Sequence, residues 1–396
     1  MRRSLALASW RRGTWARLRS LLPSAARRGL RAALGLPDAY VWADAIRSAE
    51  RDPLLERYRA TRPRGPLRHH VGVTVSPAHP DGPAFTAAAA ELGGRVTLFD
   101  PDDPDWPTRV RAAGCDGHLV RLRHGRAIDW SLDQARLAFL HGLGVPTWPR
   151  PHEAFLYEDK ARAAWWLEAH GVPHVPTRVF TRLDDALPWL ERAAFPLVVK
   201  TRFGSGGSGV ERVDDLGSAR AAARLFLRGR YHRRGADWRD GDHGYLIVQP
   251  WWPFAAEHRV IRLGDVWFAH GKVLARGDWR FSGSGVRDWE LPGLDVLDRG
   301  LEVAARLDLR CGAIDLLVRE DGSWFVGEVQ TWYAGFRASQ MDVGGVPHVA
   351  YREGARWRLQ EGMPHVHRGQ ALRLLAFDAW LDGAGDAPVR VSGSGA

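Results

Sequence analysis

Two groups of side chains in this sequence are spaced so that they could handle phosphate and a divalent cation. Lys200 closes the apolar run Phe195-Pro-Leu-Val-Val-Lys200, and Gly204-Ser205-Gly206-Gly207-Ser208-Gly209 follows after three intervening residues. A strand that ends in lysine and opens into glycines lets backbone N–H groups approach phosphate oxygens, with the ammonium as a point charge and the serines as further donors. No Gly-Lys-Ser/Thr opens a helix there, so this is not a Walker loop. Downstream, Asp315 lies in Ala-Ile-Asp-Leu-Leu and Glu328 in Phe-Val-Gly-Glu-Val. A lone carboxylate in such apolar surroundings is expensive to bury unless a cation pairs with it. Glu320-Asp321-Gly322 between them signals a hairpin, which puts Asp315 on one strand and Glu328 and Gln330 on one face of its partner. That oxygen set suits Mg²⁺, or Mn²⁺ in its place, with phosphate and water completing the shell. The bland alternatives are a plain glycine turn and solvated strand carboxylates.

Lysine usage bears on the choice. Of 56 basic side chains only Lys160, Lys200 and Lys272 are lysine. Arginine serves almost everywhere else, so each lysine marks a place where a slim point charge suits better than a planar guanidinium.

The elements that must position these groups follow an α/β pattern from about His70. Strands are expected at 71–75, 95–99 and 117–122, alternating with helices at 84–92, 106–113 and 132–143, which predicts a small parallel sheet covered on both faces. Pro146, Pro149 and Pro151 punctuate the chain before the next unit. There the pattern predicts a helix over 158–170, an extended run at 175–180, a helix over 183–193 and strands at 197–200, 245–249, 257–263 and 266–273. A helix over 294–307 precedes the hairpin of 312–319 and 323–330. The segment after about His348 reads as two helices and a loose Gly/Ser end. The resulting division is 1–68, 69–147, 148–346 and 347–396.

Charge narrows the function classes. The net charge is +10, but nine arginines and no acidic residue fall within positions 1–34, leaving +1 for the rest. The high pI therefore belongs to an extension, which argues against a general nucleic-acid binder. Trp10, Trp15, Leu18, Leu21 and Leu22 are interleaved with those arginines. Such a segment suits an anionic membrane surface or polymer, and equally a helix packed on the body or a plain tail. The two cysteines, Cys115 and Cys311, are far apart, in keeping with a reducing compartment. No run approaches the roughly 18 apolar residues of a membrane span. The expected location is cytoplasmic, with peripheral membrane contact through residues 1–34 as a variant.

The order of motifs resembles the ATP-grasp superfamily, in particular carboxylate–amine ligases such as the glutathione synthetases and ribosomal-protein glutamate ligases, over about Trp148–Gly335. Tyr157-Glu158-Asp159-Lys160 is similar to the family's Asp-Lys at a helix start. Gly171-Val-Pro173-His-Val-Pro176-Thr177 is similar to its extended entry segment, and Lys200 with Gly204–Gly209 to its second lysine and phosphate loop. Leu246-Ile-Val-Gln249-Pro250-Trp251 resembles the hinge strand that reads adenine. Glu257-His-Arg259-Val resembles Asp-x-Arg-Val, and Gly277-Asp278-Trp279-Arg280 a segment with an arginine near the transferring phosphoryl group. The sequence departs from the family at Gln330, where Glu-Val-Asn is usual, and at Ala334-Gly335, where Pro-Gly is usual.

The resemblance implies an ATP-grasp fold preceded by a small parallel α/β domain. It also implies an enzyme that binds ATP with Mg²⁺ and joins a carboxylate to an amine through an acyl phosphate. Lys160, Lys200, Gly204, Ser205, Gly206, Gly207, Ser208, Gly209, Gln249, Trp251 and Glu257 would hold the nucleotide. Asp315, Glu328 and Gln330 would hold the metal, and Lys272 and Arg280 would face the transferring group. The partners would be small-molecule or peptide acids and amines, with no specific nucleic acid. A small-molecule kinase on the same fold and a non-catalytic ATP sensor or scaffold are the rival readings.

Overall fold

The computed structural model describes residues 67–76, 79, 81–123, 127–204, 209–228, 244–274, 278–281, 287–333, 340–361 and 369–384. The basic extension up to residue 66, Ser205, Gly206, Gly207, Ser208, Gly277 and Ala334-Gly335 lie outside the described residues.

The expected parallel sheet forms from β1 (His70–Thr74), β2 (Arg95–Phe99), β3 (Gly117–Val120) and β4 (Thr147–Trp148), in the order β2-β1-β3-β4. The two residues of β4 are too few to show a period. The helices Asp81–Glu91, Trp106–Ala113 and Ala127–Gly142 accompany the sheet. Every residue of β1 is buried, as a strand covered on both faces requires. Gly72 is needed there, because a Cβ would stand 2.4 Å from Nδ1 of His118 on β3.

A second, antiparallel sheet contains β5 (Arg178–Phe180), β6 (Leu197–Lys200), β7 (Val210–Val213) and β8 (Leu246–Pro250), ordered β5-β8-β6-β7. The helices Leu183–Leu190 and Leu216–Leu227 cover it and give it a core of its own, built on Leu190, Val199, Ala223, Phe226 and Val248. The second helix starts at a capping box, in which Asp215 accepts from the Ser218 N–H and the Ser218 side chain reaches back.

The largest sheet holds β9 (Ala256–Leu263), β10 (Val266–Lys272), β11 (Arg287–Asp288), β12 (Cys311–Val318), β13 (Trp324–Gln330), β14 (Asp342–Val343), β15 (Val346–Glu353) and β16 (Arg356–Glu361). The main order is β13-β12-β9-β10-β15-β14, with β11 on β10 and β16 on β15. The helix Leu294–Arg306 packs on it so closely that a Cβ on Gly300 would meet Val260 at 2.4 Å. The core of this sheet is continuous with that of the parallel sheet.

Two expectations need correction. The helix expected over 158–170 begins at Lys160 and follows a separate short helix, Pro151–Leu156. Glu158 between them has φ 59° and breaks any continuous helix. Of the two C-terminal helices one is found among the described residues: residues 346–361 form the antiparallel pair β15–β16, turning at Gly354 with φ 58°, and Gln370–Ala379 is α-helical. Trp357 and Leu359 alternate with charged and polar neighbours in the period-2 pattern of a strand.

Candidate functional site

One cavity separates the small antiparallel sheet from the large one. Its lining includes Lys160, Lys200, Gly204, Gln249, Trp251, Glu257, Arg280, Asp315 and Glu328.

On the small-sheet side the two lysines are held together by one carboxylate. Asp159, 1% exposed, caps the helix Lys160–Ala169 by accepting from the Arg162 N–H at 3.1 Å. The same carboxylate takes Arg202, two residues beyond Lys200, at 2.8 Å from Nε and 2.6 Å from Nη2. The Lys160 N–H donates to the Arg202 carbonyl at 3.0 Å, and its ammonium to the Gly204 carbonyl at 2.5 Å. Burial holds the Lys200 ammonium down at about 8, and Lys160 alongside adds to the effect against the opposing pull of Glu328 and Glu257.

Gly209 closes the glycine segment. Its carbonyl accepts from the Thr201 N–H at 2.9 Å, and its φ is 72°. A Cβ there would fall 2.1 Å from the Thr201 hydroxyl. Gln249 faces the cavity with its amide bonded to the Thr177 hydroxyl at 2.8 Å. The Trp251 N–H is engaged by the Pro196 carbonyl at 3.0 Å, so this residue offers the cavity its indole and not that donor. Val175, Val198, Val210 and Leu317 supply an apolar slot beside these rings.

The large-sheet side is an array of charges set by strand register. Arg259, Asp315 and Glu328 are cross-strand neighbours on β9, β12 and β13, and Glu257 and Lys272 are neighbours on β9 and β10. Arg259 binds Asp315 through two bonds, 2.7 and 2.8 Å. Lys272, 5% exposed, donates to Asp315 at 2.5 Å and also to Glu257. Asp315 is driven well below the usual carboxylate range: burial alone would raise it, but Arg259 and Lys272 prevail. The Gln330 amide donates to Glu328 at 2.7 Å and to Glu158 at 3.2 Å, while its Oε1 is buried without a partner. Arg280 lines the cavity and forks onto Asp278.

The sequence expectations thus converge for Lys160, Lys200, Gly204, Gln249, Trp251, Glu257, Arg280, Asp315 and Glu328. Lys272 is placed behind the carboxylates and ties them together. Arg259, Glu158 and Asp159 stand in the motifs above without a role, and Arg202 lies between Lys200 and the glycines. The two-residue step from Glu257 puts Arg259 on the same strand face, a signal that could have found it.

The described oxygens suit a hard cation, since Gln330 Oε1 has no partner and Glu328 adjoins Asp315. Among the described residues no three His, Cys, Asp or Glu side chains gather as a self-sufficient metal site. A cation here would lean on phosphate oxygens, as Mg²⁺ commonly does. A roomier cleft of about 700 Å³ lies by the parallel sheet, but its lining is mainly apolar, with Asp100, Asp103 and Arg109 among it.

No protein-family model matches the chain. Among solved structures, a RimK-domain ATP-grasp protein from Sphaerobacter thermophilus superposes with TM-score 0.50 at 17% identity, over 66% of this chain and 90% of that one. An N5-carboxyaminoimidazole ribonucleotide synthetase in its ADP complex superposes with TM-score 0.51 at 14% identity, over 81% and 99%. The chain has the ATP-grasp fold. The two antiparallel ATP-grasp sheets are the walls of the cavity, and the parallel sheet is the unit that precedes them. In sequence, 95 residues are 41% identical to phosphoribosylamine–glycine ligase of Allochromatium vinosum, a match covering 24% of this chain and 22% of that protein. The chain therefore matches about a fifth of that curated relative's length. Among the described residues no helix is long and apolar enough to cross a membrane.

Proposed function

We propose that this protein is an ATP-dependent carboxylate–amine ligase. The observation that carries the reading is the opposition of Lys160 and Lys200 to the Asp315–Glu328 pair across one cavity. The curated relative is itself a ligase of an amine and glycine by its name.

The nucleotide base would enter the apolar slot by Val175, Val198, Leu317 and Trp251, with its phosphates towards Lys160, Lys200 and Gly204. Glu328, Gln330 Oε1 and the Asp315 edge would hold Mg²⁺, which when bound supplies charge neutralisation between the phosphates. Arg280 would leave Asp278 for the transferring group. A substrate carboxylate oxygen attacks the γ-phosphorus as the bond to ADP breaks, giving an acyl phosphate. The amine then attacks the acyl carbon, phosphate leaves, and the nitrogen loses a proton. Positioning and charge neutralisation are the protein's contribution.

Calorimetry with Mg-ATP on wild type, Lys200→Ala and Asp315→Ala tests the nucleotide site. Binding by wild type that both substitutions abolish supports it, and absence of binding by folded wild type refutes it. ADP release in a panel of acids with hydroxylamine then tests the chemistry, since an acyl phosphate is trapped as a hydroxamate. A hydroxyl compound phosphorylated instead would establish the kinase. The double engagement of Asp315 by Arg259 and Lys272 favours one other reading, a nucleotide-binding protein without turnover. Metal-independent ATP binding with no ADP release would select it.

A further inference from the structure

Arg373 lies on the helix Gln370–Ala379, where that helix meets the end of β13, and is 1% exposed. Other deeply set arginines, such as Arg123, Arg150 and Arg259, each face a carboxylate. Arg373 has no carboxylate partner among the described residues. Its Nη2 donates to the Tyr333 carbonyl at 2.7 Å, its Cζ lies 4.6 Å from the Trp332 ring centre and 4.8 Å from that of Tyr333, and the Cys311 thiol lies against it. Its Nε and Nη1 are buried without hydrogen-bond partners among the described residues.

The neighbouring residues repeat the pattern. The Trp332 indole N–H and the Thr331 hydroxyl are likewise buried and unpartnered. Buried polar atoms are nearly always satisfied, so several open donors in consecutive residues and on the helix beside them call for a reason. Those of Thr331 and Trp332 belong to the stretch just beyond Gln330, and those of Arg373 to the helix packed on it. Thr331 and Trp332 directly follow Gln330, whose amide bonds Glu328 of the cavity wall. The parallel sheet's unit reaches the same place, since Gln370 donates to Asp81 at 2.7 Å and Phe85 stands 6.2 Å from Trp332. Junctions between domains are where small-molecule sites concentrate.

We infer that Arg373, with Trp332 and Thr331, forms an anion subsite that takes a carboxylate of the organic substrate. The inference rests on the ligase reading for its substrate and on the open donors for its place. A guanidinium with two free N–H groups matches the two oxygens of a carboxylate, and the indole and hydroxyl can serve a third bond. The substrate class is then an α-amino acid or a dicarboxylic acid, in which one carboxylate anchors the molecule while the other end reacts.

The test uses the full chain and reads melting temperature as glycine, succinate or inorganic phosphate is added, against sodium chloride at equal ionic strength. Mg-ATP affinity is measured on the same samples. Wild type should be stabilised by glycine or succinate beyond chloride, and which of the two acts separates an amino-acid substrate from a dicarboxylate. Arg373→Met should fold, keep its Mg-ATP affinity and lose that stabilisation. Arg373→Lys should respond with a midpoint shifted about tenfold or more, because the fork is gone. The inference is overturned by a wild type indifferent to both carboxylates, by a response confined to phosphate, or by an undiminished response in Arg373→Met. It is equally overturned if Arg373→Met fails to fold while Arg373→Lys responds like wild type. A carboxylate response without Mg-ATP binding would refute the nucleotide reading and leave this subsite standing.

Discussion

The two walls of the cavity treat charge in opposite ways. On the large sheet each ionised group has a protein partner already: Asp315 has Arg259 and Lys272, Glu257 has Lys272, and Glu328 has the Gln330 amide. On the small sheet Lys200 makes no ion pair among the described residues, has Lys160 for a neighbour, and is held down at about 8. One wall is largely paired internally before any ligand arrives, with Glu328 held only by a neutral amide, and the other awaits an anion. The small-sheet wall is thus the part that polyphosphate would relieve, and the large-sheet wall is the part that keeps its geometry whether or not nucleotide is present.

Substitutions can break that contrast. The largest effect is expected at Asp315→Ala, which strands Arg259 and Lys272 without their shared partner. Unfolding by denaturant should show a loss of about 3–5 kcal/mol, where an unchanged midpoint would mean that the pairing of Asp315 does not hold the wall. Gly209→Ala should follow, at about 1–3 kcal/mol, because a Cβ would meet Thr201 on a backbone of positive φ. Lys200→Met should weaken Mg-ATP binding by about tenfold to a hundredfold while leaving the melting temperature equal or higher, since it removes a desolvated charge. A drop in both would assign Lys200 to structure.

The pH response sharpens the same contrast. The unfolded chain keeps a lysine proton up to about 10.4. Between about 8 and that value the unfolded state holds the extra proton at Lys200, so its contribution to stability should rise with pH. Mg-ATP affinity should fall across the same window as the ammonium discharges, and Lys200→Met should remove both trends. The smallest effect is expected at Gln330→Asn. The shorter amide reaches one carboxylate where Gln330 reaches two, which should change stability by under about 1.5 kcal/mol and shift Mg²⁺ dependence more than ATP affinity, as metal titration would show.

Much of this was legible in the sequence because it is local. The hairpin carrying Asp315 and Glu328 announced itself through Asp321-Gly322 between two apolar runs, and Lys200 through its strand and glycines. What stayed hidden depends on register between distant strands. Nothing local says that Asp315 stands opposite Arg259, 56 residues away, or that Lys272 points at Asp315 and not at a ligand. β15 and β16 were misread because a short alternating run that also carries arginine and glutamate fits a helix nearly as well until its partner strand is known. Arg373 was invisible for a similar reason, since Tyr333, which helps enclose it, lies 40 residues earlier in the chain.

Asp159 carries a consequence for inheritance. The same buried carboxylate starts the helix of Lys160 and anchors the turn after Lys200, so the spacing of the two lysines is a single variable. Neither lysine can drift alone under selection. Asp159 and Arg202 should change together or not at all across descendants of this chain, and anyone moving one lysine into another scaffold must carry all four residues as a cassette.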